Sequence, residues 1–548
     1  MTGAAGAAGA ASGIRTAHVD TFARDRLPPV ASQPDFLFNL PELQYPERLN
    51  AAVELIDRAD PKAVAVINDQ GVWTYGEMKS LSDRIARLLV EQEGLVPGNR
   101  VLLRGANGAL LFASWLGVLK AGGIVVTTMP ILRAGEIKTL LERACISHAI
   151  VDSRFTCDFE TAAASVPALR SVLQYRGDHG GGELETRLAS VDPDFEPIAT
   201  WRDDIALIAF TSGTTGRPKG CVQYHRDILA CADAFARTIL KPRPGDRWAC
   251  SAPIAFTFGL GQLLIFPFRF RGAAVTVEKP GPEPLIDAVE RWRVTTLATA
   301  PTAYKSMLGM IGGRDVSSLR TCVSAGEHLP AATWHAWQQA TGLRIVDGIG
   351  ATEMMHIFIS ASGDEIRPGA TGRAVPGYEA RIVDERGTVL PQGTGRLAVR
   401  GPTGCRYFDD ERQKVYVEAG WNVTGDTYRQ DEDGYFWYVA RSDDMIISAG
   451  YNIAAPEVEN ALYCHPAVAE CAVIGAPCEE RGQRVKAFVV LAEGFEAGAE
   501  LVRALQLHVK ETIAPYKYPR EIEFVAELPR TATGKLQRFS LRTPSGPA

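Results

Sequence analysis

The sequence predicts an α/β protein of layered, largely parallel sheets followed by a smaller α+β unit, and two observations carry that prediction. From Met1 to about Gly401, short β-branched runs alternate with amphipathic stretches, the pattern of strands joined by packed helices. Past Gly401 several strands crowd together around DG and GG-type turns in DEDGYFWYVAR and DDMIISAGYN. The predicted division is a large unit over 1–442 and a small mobile one over 443–548, joined by a hinge. A chain of 548 residues has room for three or four domains at about 150 residues each, so the large unit holds several subdomains.

The elements follow in order. The opening MTGAAGAAGAASG lacks a basic n-region and a Leu-rich core; it is no signal peptide, and residues 1 to about 15 are expected to be a disordered tail, like the closing TPSGPA. Ala109 to Leu119 is the most apolar stretch and stops at Lys120 after about three helical turns, too short for a membrane span. Ile124 to Thr128 (IVVTT) reads as a buried strand between Gly122-Gly123 and Pro130. In the GEIKTLLERA that follows, Ile137, Leu140 and Leu141 mark one helical face. DHGGGE at 178–183 is expected to be a surface loop, and Ile205 to Thr211 (IALIAFT) a strand entering a Gly/Thr/Pro loop. In the small unit PEVENALYCHPAV reads as a helix, with AECAVIG and VKAFVVLA as strands.

Composition excludes several classes. Apolar residues are 46% and charged residues 22%, the balance of an ordinary soluble globular chain. The net charge of −6 argues against a broad nucleic-acid surface. None of the 10 cysteines has CxxC spacing or a His at zinc-finger distance, which suits a reduced cytoplasmic protein with buried thiols.

The strongest chemical signal is TSGTTGRPKG, Thr211 to Gly220. Its glycines let backbone approach an anion, the hydroxyls of Thr211, Ser212, Thr214 and Thr215 can donate to phosphate oxygens, and Lys219 adds a point charge. It cannot be laid over a Walker A sequence.

This segment resembles the signature loop of the adenylate-forming superfamily of acyl-CoA synthetases, peptide-synthetase adenylation domains and luciferases. Further signatures follow in the family's order, so the resemblance spans about Phe38 to Arg538. It implies the adenylate-forming fold, with ATP held by Thr211, Ser212, Gly213, Thr214, Thr215, Gly216 and Lys219. In GIGATE it places Thr352 on the α-phosphate and Glu353 on Mg2+, a hard cation that takes carboxylate and phosphate oxygens. Adenine would lie along Ala325-Gly326-Glu327 and Asp347-Gly348-Ile349, and the ribose hydroxyls would meet Asp426 of TGD and Arg441. Lys535, in PRTATGKLQR, would bridge the substrate carboxylate and the α-phosphate as the catalytic cation. The hinge maps to Asp443. For coenzyme A the resemblance implies Gly450 beside the pantetheine arm. Arg481, Lys486, Lys517 and Arg520 are the candidates around its nucleotide end.

The acid pocket is expected from SAPIAFTFGLGQLLIFP, SAGE and GIGATEMMHIF, using Phe256, Thr257, Phe258, Gly259, Ala325, Gly350 and His356. Amino-acid-activating relatives carry an Asp near the position of Thr257, so an α-ammonium would stay unpaired here. DGIGATEMMHIFIS resembles the benzoate-CoA ligase branch, and AFTFGLG looks more like the 2-aminobenzoate (anthranilate) ligases. The expected activity is therefore AMP-forming aryl-CoA ligation, with 2-aminobenzoate favoured. Benzoate-CoA ligation is one alternative, and another is stand-alone adenylation of an aryl acid for a carrier protein acting in trans. Neither nucleic acid nor a membrane is an expected partner.

Overall fold

The computed structural model describes residues 15–211, 218–441, 445–448, 451–478, 482–513, 515–530 and 536–542. Both expected tails, the loop residues Ser212, Gly213, Thr214, Thr215 and Gly216, the hinge residue Asp443, Gly450, Arg481 and Lys535 lie outside them.

Four sheets organise the chain. In one, the strands Val64–Asn68, Ala273–Val275, Arg247–Cys250, Thr296–Thr299, Thr321–Ser324 and Ile345–Gly350 run parallel, and antiparallel strands finish both edges. In the second, Ser171–Tyr175, His148–Asp152, Arg100–Arg104, Ile124–Thr128 and Ile205–Thr211 are parallel. Both sheets send apolar side chains, among them Val66, Val323, Leu103 and Val125, into one core shared with the helices Tyr75–Arg87 and Ala109–Lys120. The all-β third sheet, Glu379–Arg441, adds Ile382, Leu397 and Tyr428 to that core. The fourth sheet is built entirely from strands after Arg441 and has its own core of Ile446, Val458, Val473, Val485 and Leu505. Lys305 reaches this unit, donating to the Ala469 carbonyl at 3.2 Å and lying over the Tyr463 ring.

The strand Ile205–Thr211 is followed by a second strand: Lys219–Tyr224 returns antiparallel along it with Thr211 opposite Lys219. One local reading is corrected. Lys120, read as the polar end of an apolar run, is fully buried between Asp57 and Asp83, 2.6 Å from each. Two carboxylates let the ammonium finish inside the core. Asp178, in the expected surface loop, is half-buried and accepts from the Ala109 and Leu110 N–H groups at 2.8 and 2.9 Å, capping the buried helix from 69 and 68 residues away.

Candidate active site

The candidate residues gather where the parallel strands of the first sheet end, the usual ligand edge of such a sheet. Thr321–Ser324 delivers Ala325, Gly326 and Glu327, and Ile345–Gly350 delivers Asp347, Gly348, Ile349 and Gly350. Gly326 has φ +92°, which a side chain would oppose. Glu327 accepts from the Thr302 N–H at 3.4 Å. Asp347 Oδ1 is shielded from solvent and has no donor; burial raises this carboxyl to about 7.

The loop 351–356 carries Thr352, Glu353 and His356, three of the candidate residues. It opens with a single 3-10 turn, Thr352–Met354. Met355 then takes φ +66° and ψ −42°, and the His356 N–H bonds back to the Met354 carbonyl at 2.8 Å. This is a tight, strained γ-turn. It reverses the chain so that Thr352-Glu353 sits on one side and His356 on the other. Gln223 Nε2 ties the loop down, donating to the carbonyls of Thr352 and Glu353 at 3.1 and 3.3 Å, and Thr403 Oγ1 donates to that of Met354 at 2.7 Å.

On the anion side, Lys219 Nζ lies 3.6 Å from Glu353 Oε1. Tyr407 stands between them: its hydroxyl accepts from Lys219 Nζ at 2.7 Å and donates to Glu353 Oε1 in a short hydrogen bond. The ring is buried, Tyr416 packs edge-on against it, and Lys219 lies over its face. Burial and the Glu353 charge hold the phenol well above its ordinary range, so it remains a proton donor. The carboxylate fits Mg2+: Oε1 is taken, Oε2 accepts no hydrogen bond among the described residues, and a hard oxygen suits that ion. Among the described residues no group of three or more His, Cys, Asp or Glu could hold an ion without substrate oxygens.

Asp426 and Arg441 face each other in adjacent antiparallel strands, with Arg441 Nε 3.8 Å from Asp426 Oδ1. Their strands reach the adenine candidates through stacked rings. Tyr438 stacks on His328, next to Glu327, and meets the edge of Tyr428, with both centroid separations at 5.5 Å.

On the acid side, the ring of His356 is 2% exposed. Phe235 and Phe258 stack on it at 5.4 and 5.6 Å, and Phe266 meets it edge-on at 4.6 Å. Phe256 caps the short helix Thr257–Leu260, which carries Thr257, Phe258 and Gly259. Gly261 follows because a Cβ there would overlap His356 Cδ2 and come within 2.6 Å of Nε2. Among the described residues no group meets hydrogen-bond geometry with either His356 nitrogen, and burial lowers the ring to about 3, so it is neutral. Gln262 is also fully buried, with both amide atoms unpartnered.

The three described candidates for the nucleotide end of coenzyme A are already engaged. Lys486 is paired with Glu521 and Glu523 at 2.7 and 2.8 Å, and Lys517 with Glu457 at 2.5 Å, so either would have to leave a carboxylate to meet coenzyme A. Arg520 donates to the Tyr516 carbonyl at 3.4 Å and lies over the Tyr518 ring. Conversely, Tyr407, Gln223 and Phe235 contact candidate residues of the site but stand in no segment singled out in the sequence, while Phe266 and Gln262 lie unnamed within the expected acid segment. Phe235 and Gln262 occupy π-helical turns, Ala232–Leu240 and Gly261–Ile265, a geometry frequent at functional sites.

The profile of the AMP-binding enzyme family matches residues 54–407, and that of the AMP-binding enzyme C-terminal domain matches 457–535. The benzoate–CoA ligase of Thauera aromatica is 37% identical over 514 residues, covering 92% of this chain and 97% of its own. The structure of the anthranilate CoA ligase AuaEII in complex with anthranoyl-AMP superposes with a TM-score of 0.86 at 34% identity, over 92% of this chain and 98% of that one. A benzoate CoA ligase from Burkholderia xenovorans gives 0.83 at 32% identity, over 90% of this chain and 100% of that one. These matches make the chain a member of the AMP-binding enzyme family, with the adenylate-forming fold.

Proposed function

We propose that this protein is an AMP-forming aryl-CoA ligase and that its acid is 2-aminobenzoate. In the first half-reaction a carboxylate oxygen attacks the α-phosphorus of ATP and pyrophosphate leaves. In the second, the thiol of coenzyme A attacks the acyl carbon, the C–O bond to AMP breaks, and the thiol proton passes to solvent.

Neither step needs a nucleophile from the protein, so the work is positioning and charge stabilisation. Lys219 and the loop around it hold phosphate oxygens; Thr352 contacts the α-phosphate; Asp426 and Arg441 hold the ribose. Glu353 would hold Mg2+, which supplies charge neutralisation to the phosphates when bound. Lys535 brings two anions together that otherwise repel. A swing of the small unit about Asp443 then exchanges Lys535 for the face carrying Gly450.

The observation that carries the choice of acid is the aromatic box around a neutral His356 with neither ring nitrogen satisfied. An ortho amino group can offer a partner to buried polar atoms that benzoate leaves alone, and such atoms discriminate strongly against an analogue lacking the group. Benzoate remains the second reading, favoured by the hydrocarbon walls and by the named activity of the Thauera relative.

The test is thioester formation with ATP, Mg2+ and coenzyme A, comparing kcat/KM for 2-aminobenzoate, benzoate and salicylate. Preference for 2-aminobenzoate supports the reading, preference for benzoate replaces it with the second, and adenylation without transfer to coenzyme A turns it towards a carrier-protein acceptor.

A further inference from the structure

Between the Lys219 ammonium and the Glu353 carboxylate stands a group that neither motif contains. The segment Cys405–Phe408 runs beside the strand Lys219–Tyr224: the Val222 N–H bonds the Arg406 carbonyl at 2.9 Å, the Phe408 N–H bonds the Gly220 carbonyl at 2.8 Å, and Tyr407 bridges Cys221. Lys219 and Cys221 share a strand face, so a tyrosine opposite Cys221 reaches Lys219 two residues along. The buried Gln413 locks this register. Its Oε1 accepts from the Tyr407 N–H at 2.8 Å, while its Nε2 donates to the carbonyls of Ser32 and Cys405 at 2.8 and 3.2 Å. The phenol therefore arrives on a fixed backbone with its hydroxyl between cation and anion.

We propose that Tyr407 is the positioning residue for the metal-binding carboxylate: its hydroxyl proton fixes Glu353 Oε1 and so presents Oε2 to the ion that accompanies ATP. The same oxygen accepts from Lys219, whose Nζ lies 3.6 Å from Glu353 Oε1. Tyr407 touches neither reacting atom; it acts through Glu353. The assignment rests on reading this site as one for metal-bound ATP.

The decisive variant is Tyr407→Phe, which removes one oxygen and keeps the ring. Binding of Mn2+ to the complex of enzyme with a non-hydrolysable ATP analogue, read by electron paramagnetic resonance, is expected to weaken about tenfold, the loss of one hydrogen bond to a charged group. Binding of the analogue in EDTA is expected to stay within about twofold, and thioester formation from pre-made acyl-AMP to be retained. With Glu353→Gln already present, Tyr407→Phe should add little, because both changes act on one carboxylate. Unchanged Mn2+ affinity overturns the proposal. Equal losses of metal-free nucleotide binding and melting temperature overturn it as well, since they make the hydroxyl merely structural. If the wild-type enzyme binds no Mn2+ with the analogue, the reading of the site itself fails instead. Should Tyr407→Phe not fold, 3-fluorotyrosine at 407 keeps the hydroxyl. Its 19F resonance is expected to move when Mg2+ is added to the analogue complex, and a resonance that stays put contradicts the assignment.

Discussion

The two sides of the loop 351–356 are built on opposite principles. On the side proposed for the phosphates and ribose, charges are paired: Lys219, Tyr407 and Glu353 form one hydrogen-bonded chain, and Arg441 faces Asp426. On the side proposed for the acid, His356 is buried among Phe235, Phe258 and Phe266, and among the described residues neither its nitrogens nor the buried amide of Gln262 makes a hydrogen bond. A paired site is satisfied before substrate arrives and serves any acid that reaches it. An unpaired site is incomplete until a particular ligand completes it, because an unsatisfied buried group costs about 1–3 kcal/mol. In the proposed reading, generic chemistry and specificity divide at a single strained residue, Met355.

The comparison can be broken from the anion side first. Lys535→Ala should cost about 3 kcal/mol or more of barrier in acyl-adenylate formation, as for other removed charge stabilisers, and leave thioester formation from pre-made acyl-AMP in place. Equal loss in both half-reactions, read by single-turnover kinetics, would contradict that role. Glu353→Gln should slow the same half-reaction by about 100-fold, with the KM for the aryl acid little changed.

From the acid side, Gly261→Ala drives a methyl into the His356 ring. Overpacking of this kind costs about 1–3 kcal/mol, and here it should appear as a raised KM for the acid with an unchanged KM for ATP. An equal rise in both would show that the two ends are not separable.

The smallest effect concerns Asp347. Its carboxyl, raised to about 7 by burial, is mostly protonated below that pH and charged above it. The exocyclic amino group of adenine is a donor and prefers the charged form, so the KM for ATP should fall by about threefold as pH rises from 6 to 8. Asp347→Asn, which cannot ionise, should give a flat profile across that window; an identical slope in the variant would remove Asp347 from adenine recognition.

Much of this arrangement was legible along the chain, and the remainder was not for a physical reason. Ile124–Thr128 and Ile205–Thr211 form strands over the residues read from their β-branched runs, and the helix read in GEIKTLLERA spans Ala134–Arg143. These are local signals. The motif residues likewise announce themselves by type and spacing, and the structure places Lys219 beside Glu353 and Asp426 beside Arg441. Tyr407 could not be read the same way, since its partner Lys219 is 188 residues distant and nothing around RYF distinguishes it from an ordinary core aromatic. Phe235 was hidden for a related reason: a π-helical turn shifts side chains off the 3.6-residue pattern that periodicity detects. Lys120 was misread because a charge inside the core is legible only once its distant partners are known.

The most direct test of the division is the ratio of kcat/KM for 2-aminobenzoate to that for benzoate, measured in the wild-type enzyme, in Glu353→Gln and in His356→Leu. The account predicts that Glu353→Gln lowers both constants together and leaves the ratio within about twofold, whereas His356→Leu moves the ratio towards benzoate. A ratio that shifts with Glu353→Gln and holds with His356→Leu would contradict it, because the choice of acid would then reside in the anion shelf.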